Sequence, residues 1–301
     1  MSIASLTRRR TAWSTAVYLQ PRLSMPPRGK PDFLLRSDSA FRLPSAPHTR
    51  ADPFVFCHND RLYLFFETQV ADDFGQIAAS EIVGSSIRHL GSVLAEPFHL
   101  SYPAVFAESG HIYMLPESQG AGEIRLYRFD DFPVRPMFLR TLLRGEYADP
   151  SPVKVEGVWY IFATSPRGLE LFFTEDISCG ELTAHPSSPI TNDRRYSRCG
   201  GMPFLLRGQL VRPAQNCASR YGENLSLLTI LELSRSSYQE ELLSSNFLAN
   251  DQPWNASGGH HMSICRSAGG FAVAIDGQAP DSLHHKFLMR AWMAATGRSR
   301  R

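Results

Sequence analysis

The chain has 301 residues, twice the usual single-domain length, although all-β barrels and propellers reach that size as one unit. Hydrophobic residues make up 43% and charged residues 20%, which supplies a packed core and excludes a disordered or fibrous chain. With 31 Lys and Arg against 29 Asp and Glu and no block of five like charges, it carries no footprint for nucleic acid.

Cys57, Cys179, Cys199, Cys217 and Cys265 are widely spaced and form no C-x-x-C pair. Neither a disulfide framework nor a thiolate zinc site is signalled, and reduced thiols are expected. No apolar run approaches 18 residues, so no transmembrane segment is predicted. The stretch after Arg8–Arg10 is too short and too polar for a leader, which predicts a cytoplasmic protein.

Residues 1–44 are rich in Pro and Arg and read as a segment that wraps the surface. From residue 45 onward one hairpin pattern recurs: a residue before Pro, an apolar run, a polar turn, then a second run rich in aromatics. It begins at Asp52-Pro53, Tyr102-Pro103, Asp149-Pro150 and Met202-Pro203, and a fifth copy without the Pro begins at His261-Met262. The four prolines are 50, 47 and 53 residues apart, the period of a four-stranded propeller blade. The pattern therefore predicts an all-β, five-bladed β-propeller over 45–285. Ile124–Arg128 and Leu169–Phe173 read as further strands of their blades. Lys286–Ala295 reads as a short helix, so 286–301 is predicted to be a helix and basic tail.

The repeat also places side chains. Asp52 to Glu67, Tyr102 to Glu117 and Asp149 to Thr164 are each 15 apart, so each pair opens one strand and ends its antiparallel partner. Innermost strands of a propeller converge on its axis, which predicts that Asp52, Glu67, Tyr102, Glu117 and Asp149 meet in one axial pocket.

In these residues the chain resembles the N-terminal domain of plant glucosamine inositolphosphorylceramide transferases. The resemblance runs through Ala51-Asp52-Pro53-Phe54, Leu62–Thr68, His99–Pro103, Tyr113–Glu117, Ile124–Arg128, Gly200–Phe204, Gln215-Asn216-Cys217 with Tyr221-Gly222, and His260-His261. It implies a propeller related to the family 43 glycoside hydrolases, in which an Asp-Pro sits in the first and the third blade, as Asp52 and Asp149 do here. Those hydrolases carry their acid in a Glu-Gly-Pro-like segment of a later blade, where this chain reads Cys199-Gly200-Gly201-Met202-Pro203. In the plant proteins a separate glycosyltransferase domain follows, so the resemblance brings no transferase chemistry to this chain.

Glycoside hydrolysis needs one carboxylic acid to protonate the leaving oxygen and a second carboxylate as base or nucleophile. On this reading Asp52 is base or nucleophile, Glu117 is the acid because burial beside Tyr102 and Pro116 raises its pKa, and Asp149 tunes and orients. Glu67, His99, Tyr102, His260 and His261 line the pocket as sugar partners, Arg212 neutralises the carboxylates or binds an anionic group, and Trp254 offers a stacking face. The plainer alternatives are an Asp-Pro that only forms a turn, an Arg paired with a nearby acid, and aromatics that pack between blades. An axial cation is compatible with the imidazoles and carboxylates, but no metal loop is signalled and no cofactor is expected. Glycosidase-like chemistry on a carbohydrate or glycolipid is thus set against a non-catalytic glycan-binding module that assists a separate glycosyltransferase.

Overall fold

The computed structural model describes residues 13–20, 22–23, 40–43, 49–69, 74–84 and 86–280. Two early strands, β1 (Trp13–Gln20) and β2 (Ala40–Leu43), precede the first blade. Blade I comprises β3 (Thr49–His58), β4 (Arg61–Gln69), β5 (Gln76–Val83) and β6 (Ser86–Leu94). Blade II comprises β7 (Ser101–Glu108), β8 (His111–Glu117), β9 (Glu123–Asp131) and β10 (Arg135–Arg144). Blade III runs β11 (Ala148–Val155), β12 (Val158–Ser165), β13 (Gly168–Thr174) and β14 (Thr183–Ala184). In blade IV, β15 (Arg198–Cys199) and β16 (Phe204–Leu206) both pair with β17 (Gln209–Asn216), which continues to β18 (Asn224–Leu233) and β19 (Tyr238–Ser244). Blade V takes β20 (Met262–Ser267) and β21 (Gly270–Gln278) from the end of the repeat and adds β1 and β2 outside them.

The chain is therefore an all-β, five-bladed propeller, as the repeat predicts. The inner hairpins close through pairs of left-handed residues: Asn59-Asp60, Ser109-Gly110, Glu156-Gly157 and Arg207-Gly208 all have φ between +49° and +84°. Positive φ at both central positions is the turn whose twist matches a two-residue hairpin. Second strands are buried along most of their length, as in Leu62–Phe66 and Val158–Ala163, because a neighbouring blade covers each face. Outer strands such as β6 are exposed or half-buried along nearly all their length.

The N-terminal segment departs from its predicted role. Trp13–Gln20 does not wrap the surface but pairs with β21 across eight positions, from Trp13↔Gln278 to Gln20↔Phe271. Its side chains explain this, since Trp13, Ala16 and Val17 are all buried. The propeller consequently begins before residue 45 and is closed by both ends of the repeat. Pairing with β1 covers the edge that β21 would otherwise leave free in blade V. Ser263 reinforces the seam, with its hydroxyl donating to Pro53 O at 2.8 Å and accepting from Val55 N at 2.9 Å. The helix expected over Lys286–Ala295 and the tail lie outside the described residues. All five cysteines are free thiols; Cys199 is buried and Cys179 exposed. Among the described residues, no helix is long and apolar enough to cross a membrane.

Val17 is fully buried in the cluster that joins blade V to blade I, with Leu43, Val55 and Leu64. Val17→Ala is expected to lower unfolding free energy by about 2 kcal/mol through lost burial and the cavity it leaves. The half-exposed Leu231 of β18 is the control: Leu231→Ala should stay within roughly 0.5 kcal/mol. Equal effects of the two changes in denaturant unfolding would contradict N-terminal closure.

Candidate functional site

The axial site is built by a backbone device repeated in three blades. Between Ala51 and Phe54, Ser101 and Ala104, and Ala148 and Ser151 the first strand carries an extra residue against its partner. At each bulge the residue before Pro is left-handed: Asp52, Tyr102 and Asp149 have φ of 50°, 48° and 52°. Non-glycine residues rarely hold this conformation unless their surroundings fix it, and bulges re-aim the side chains they carry.

For Asp52 and Asp149 the surroundings supply that fixation. The residue at the end of one blade's second strand accepts the backbone N–H of the next blade's first strand. Asp276 Oδ2 accepts from Asp52 N at 3.2 Å, Glu117 Oε2 from Asp149 N at 3.1 Å, and Thr164 Oγ1 from Cys199 N at 3.3 Å. Asp276 Oδ1 further accepts from His260 N at 2.8 Å and His261 N at 3.0 Å. His261 and Asp276 are 15 apart, the same offset as the other hairpins, so the degenerate fifth repeat carried a legible signal for Asp276.

Two ion pairs organise the charge. His260 Nδ1 lies 2.6 Å from Asp276 Oδ2, and Arg198 Nε lies 2.7 Å from Asp149 Oδ2. Burial opposes a charged imidazole, yet Asp276, with Asp52 and Asp149, outweighs it and holds His260 up at about 9. Asp276 is held below its usual value because His260 and its other donors outweigh burial. Arg198 also lies 3.9 Å from Glu117 Oε2 and places its guanidinium 5.0 Å from the Tyr221 ring. Neither Arg198 nor Tyr221 was singled out as a site residue from sequence. Arg198 escapes the repeat because blade IV replaces the two-residue bulge with the longer excursion Gly200–Pro203.

The remaining carboxylates are poorly matched. Asp52 is buried, its Oδ1 accepts no hydrogen bond, and its nearest basic atoms are His260 Nδ1 and His261 Nδ1, each at 3.8 Å. Burial pushes its pKa up to about 7; His260 opposes this, while Asp149 and Asp276 add to it. Asp149 also rises to about 7 through burial, against the pull of Arg198. Glu67 is held well above its usual range by burial, then by Asp52 and Glu117, and its Oε1 lies 3.5 Å from His99 Nε2.

The other expected residues divide. His99, His260 and His261 join the carboxylates, but His261 is fully buried with its ring 4.4 Å from Phe54 and 5.0 Å from Tyr102. Burial pushes His261 down to about 3, so it is a neutral packing group. Tyr102 is likewise fully buried beneath the carboxylates, its hydroxyl 2.6 Å from Ser151 Oγ. Arg212 points elsewhere: its guanidinium bonds Glu240 at 2.9 and 2.7 Å and Tyr196 O at 3.2 Å, over the Phe162 ring. It forms a structural ion pair within blade IV, between β17 and β19, packed over Phe162 of blade III, and the position reaching the axis from β17 is Gln215, whose amide lies 3.3 Å from Asp149 Oδ2. Trp254 packs over Gly277 and against the core cluster between blades IV and V, not over the carboxylates.

Donor atoms of Asp52, His260 and Asp276 lie within 4.8 Å of one another, the reach of a metal site. An ion there would have to share Asp276 with His260, whose Nδ1 lies 2.6 Å from Asp276 Oδ2.

The chain matches the model for the N-terminal domain of glucosamine inositolphosphorylceramide transferase 1 over residues 29–278. It is 32% identical over 265 residues to glucosamine inositolphosphorylceramide transferase 1 of Arabidopsis thaliana, covering 81% of this chain and 34% of that protein. The protein of that name from Oryza sativa subsp. japonica is 33% identical over 245 residues, covering 75% and 33%. The chain thus spans about a third of the length of these relatives. Among solved structures, sucrose-6-phosphate hydrolase from Lactobacillus gasseri superposes with a TM-score of 0.59 at 11% identity, covering 79% of this chain and 56% of that one. A putative glycoside hydrolase from Parabacteroides distasonis gives 0.56 at 10%, covering 75% and 86%. RS223-β-xylosidase gives 0.53 at 12%, covering 79% and 94%. These likenesses establish the fold.

The charge pattern gives stability a definite pH dependence. The His260 pair contributes fully below its unfolded pKa of about 6.5 and fades as pH rises through about 9. Asp52 and Asp149, also raised, ionise through about 7 against burial, which again removes stability as pH rises. The thermal midpoint is expected to fall between about pH 6 and about pH 10, and His260→Gln to flatten the part above about pH 8. A midpoint that rises over this range would contradict the assigned charge states.

Proposed function

The chain belongs to the family of the N-terminal domain of glucosamine inositolphosphorylceramide transferase 1, and we propose that it is a glycan-recognition module. Its axial pocket takes a carbohydrate or glycolipid headgroup, beside a separate glycosyltransferase. The observation that carries this reading is the engagement of the carboxylates that hydrolysis would need. Glu117, the acid proposed from sequence, spends Oε2 on Asp149 N and faces Arg198. Asp149 is paired with Arg198 and approached by Gln215.

Blade IV supports the same reading. A Cβ at Gly200 would sit 2.5 Å from Leu225, and one at Gly201 would sit 1.9 Å from Met262 O. The backbone there is packed too closely for an acidic side chain to occupy the place that the related hydrolases give their acid. The groups left toward the axis that suit sugar hydroxyls are Glu67, the second carboxylate oxygen of Glu117 and the half-exposed Tyr221. The rival hydrolase reading draws on Asp52 and Asp149, both held near 7, where a carboxyl can give or take a proton at neutral pH.

A glycan array with product analysis separates the two. Binding of a defined glycan subset without release of reducing sugar is expected, and Asp52→Asn should change affinity only. Turnover of a glycoside by the unmutated chain, lost by about 10² to 10⁴-fold in Asp52→Asn, would overturn recognition in favour of hydrolysis.

A further inference from the structure

We infer that Cys57 and Cys265 form a cross-linking site, two thiols facing each other across the seam between blades I and V that a disulfide oxidant joins into one bond. Strand alternation places both on that seam. On β3, Phe56 packs with Tyr63 and Phe65 in the cluster shared with blade II, whereas Val55 packs with Val17, Ala272 and Ala274 in the cluster that joins blade V to blade I. Cys57 follows Val55 by two positions with no register shift between them, so it turns to the same face. On β20, Ile264 packs toward blade IV, whereas Ser263 bonds Pro53 and Val55 and Cys265 packs on the cluster joining blades V and I. Cys179, Cys199 and Cys217 belong to blades III and IV.

Ser263 sets the register. Its hydroxyl accepts from Val55 N at 2.9 Å, so the two first strands lie close enough for one side chain to span between backbones. Both strands run from the axial site to a hairpin turn, at Asn59-Asp60 and at Ala268-Gly269, and their registers advance together. Two residues beyond that bond Cys265 stands beside Cys57, whose N–H acts on the Cys265 sulfur. A side chain that reaches a neighbouring N–H keeps the two Cα atoms within about 7 Å, the upper reach of a disulfide. Burial pushes the Cys265 thiol up to about 12, so Cys57, beside the exposed Asn59-Asp60 turn, is the thiol a dissolved oxidant meets first. With oxidised glutathione, the Cys57 thiolate attacks one glutathione sulfur and expels the other as a thiolate. The Cys265 thiolate then attacks the Cys57 sulfur and expels the second glutathione. The two protons of the pair end on the two glutathione thiolates, and the two electrons it loses reduce the glutathione disulfide. The bond fastens blade I to blade V around a loop that takes in the three blades between, and long loops gain most from such closure.

The test uses the whole reduced chain, incubated with oxidised glutathione at mildly alkaline pH and read by intact mass, peptide mapping and thermal unfolding; it involves no sugar and is independent of the recognition reading. The expected product has lost two hydrogens, carries Cys57 and Cys265 in one linked pair of peptides, and unfolds about 5 °C or more above the reduced chain, a rise that dithiothreitol reverses. Cys265→Ser, which keeps a small polar side chain in place, should instead retain glutathione on Cys57, because no second thiol is there to displace it. Cys57→Ser should give neither the link nor the rise. An unmutated chain that keeps glutathione on Cys57 without forming the link, that joins other cysteines, or that gains the bond yet unfolds no higher would overturn the inference.

Discussion

The structure depends on one repeated hydrogen bond, in which the end of a blade's second strand holds a backbone N–H of the next blade's first strand. Asp276, Glu117 and Thr164 do this for Asp52, Asp149 and Cys199 in turn. A propeller blade is stabilised mostly within itself, and apolar packing between blades is non-directional. These bonds add direction. They orient the first strands of blades I, III and IV, and they hold Asp52 and Asp149 in left-handed conformations that their side chains would otherwise disfavour.

The same bonds explain why the axis is acidic. A carboxylate accepts N–H groups more strongly than a neutral oxygen does, so an acid at the second-strand end makes the better clamp, and Thr164 shows that a hydroxyl also suffices. Carboxylates placed for architecture converge because the repeat is radial. Their mutual repulsion is offset only in part by His260 and Arg198, both supplied from outside the three-blade pattern. Asp276 and Glu117 are therefore first structural clamps, and function belongs to the carboxylate oxygens left over once these bonds are subtracted.

This division also marks what the sequence could convey. Blade count, hairpins and the 15-residue offset were legible because they follow from period and turn chemistry alone. Asp276 was within reach of that offset, but the fifth repeat lacks the Pro that makes its siblings conspicuous. Arg198 was not, since it stands outside the repeat, ahead of the four-residue excursion, and comes to the axis only through the pairing of β15 with β17. Arg212 misled for the opposite reason. It lies on the expected strand, yet alternation sends it to Glu240 while Gln215, three positions on, takes the axial side. Closure by Trp13–Gln20 was hidden because a pairing partner more than 250 residues away leaves no local trace.

That distant pairing also bears on the site. Trp13 opens β1, and its ring stacks on His260 with centroids 4.0 Å apart and planes 12° apart, while Tyr221 meets both edge-on. The face of a protonated imidazole against an indole is a favourable cation–π geometry, and burial strengthens it. His260 is therefore held from one side by Asp276 of β21 and from the other by the strand that completes the blade around β21. Without β1, His260 would lose its covering ring and gain solvent, weakening its hold on Asp276 and, through Asp276, on the backbone of Asp52. Ring closure and the axial charges are therefore coupled: the strand that completes blade V also covers the imidazole at the centre of the pocket.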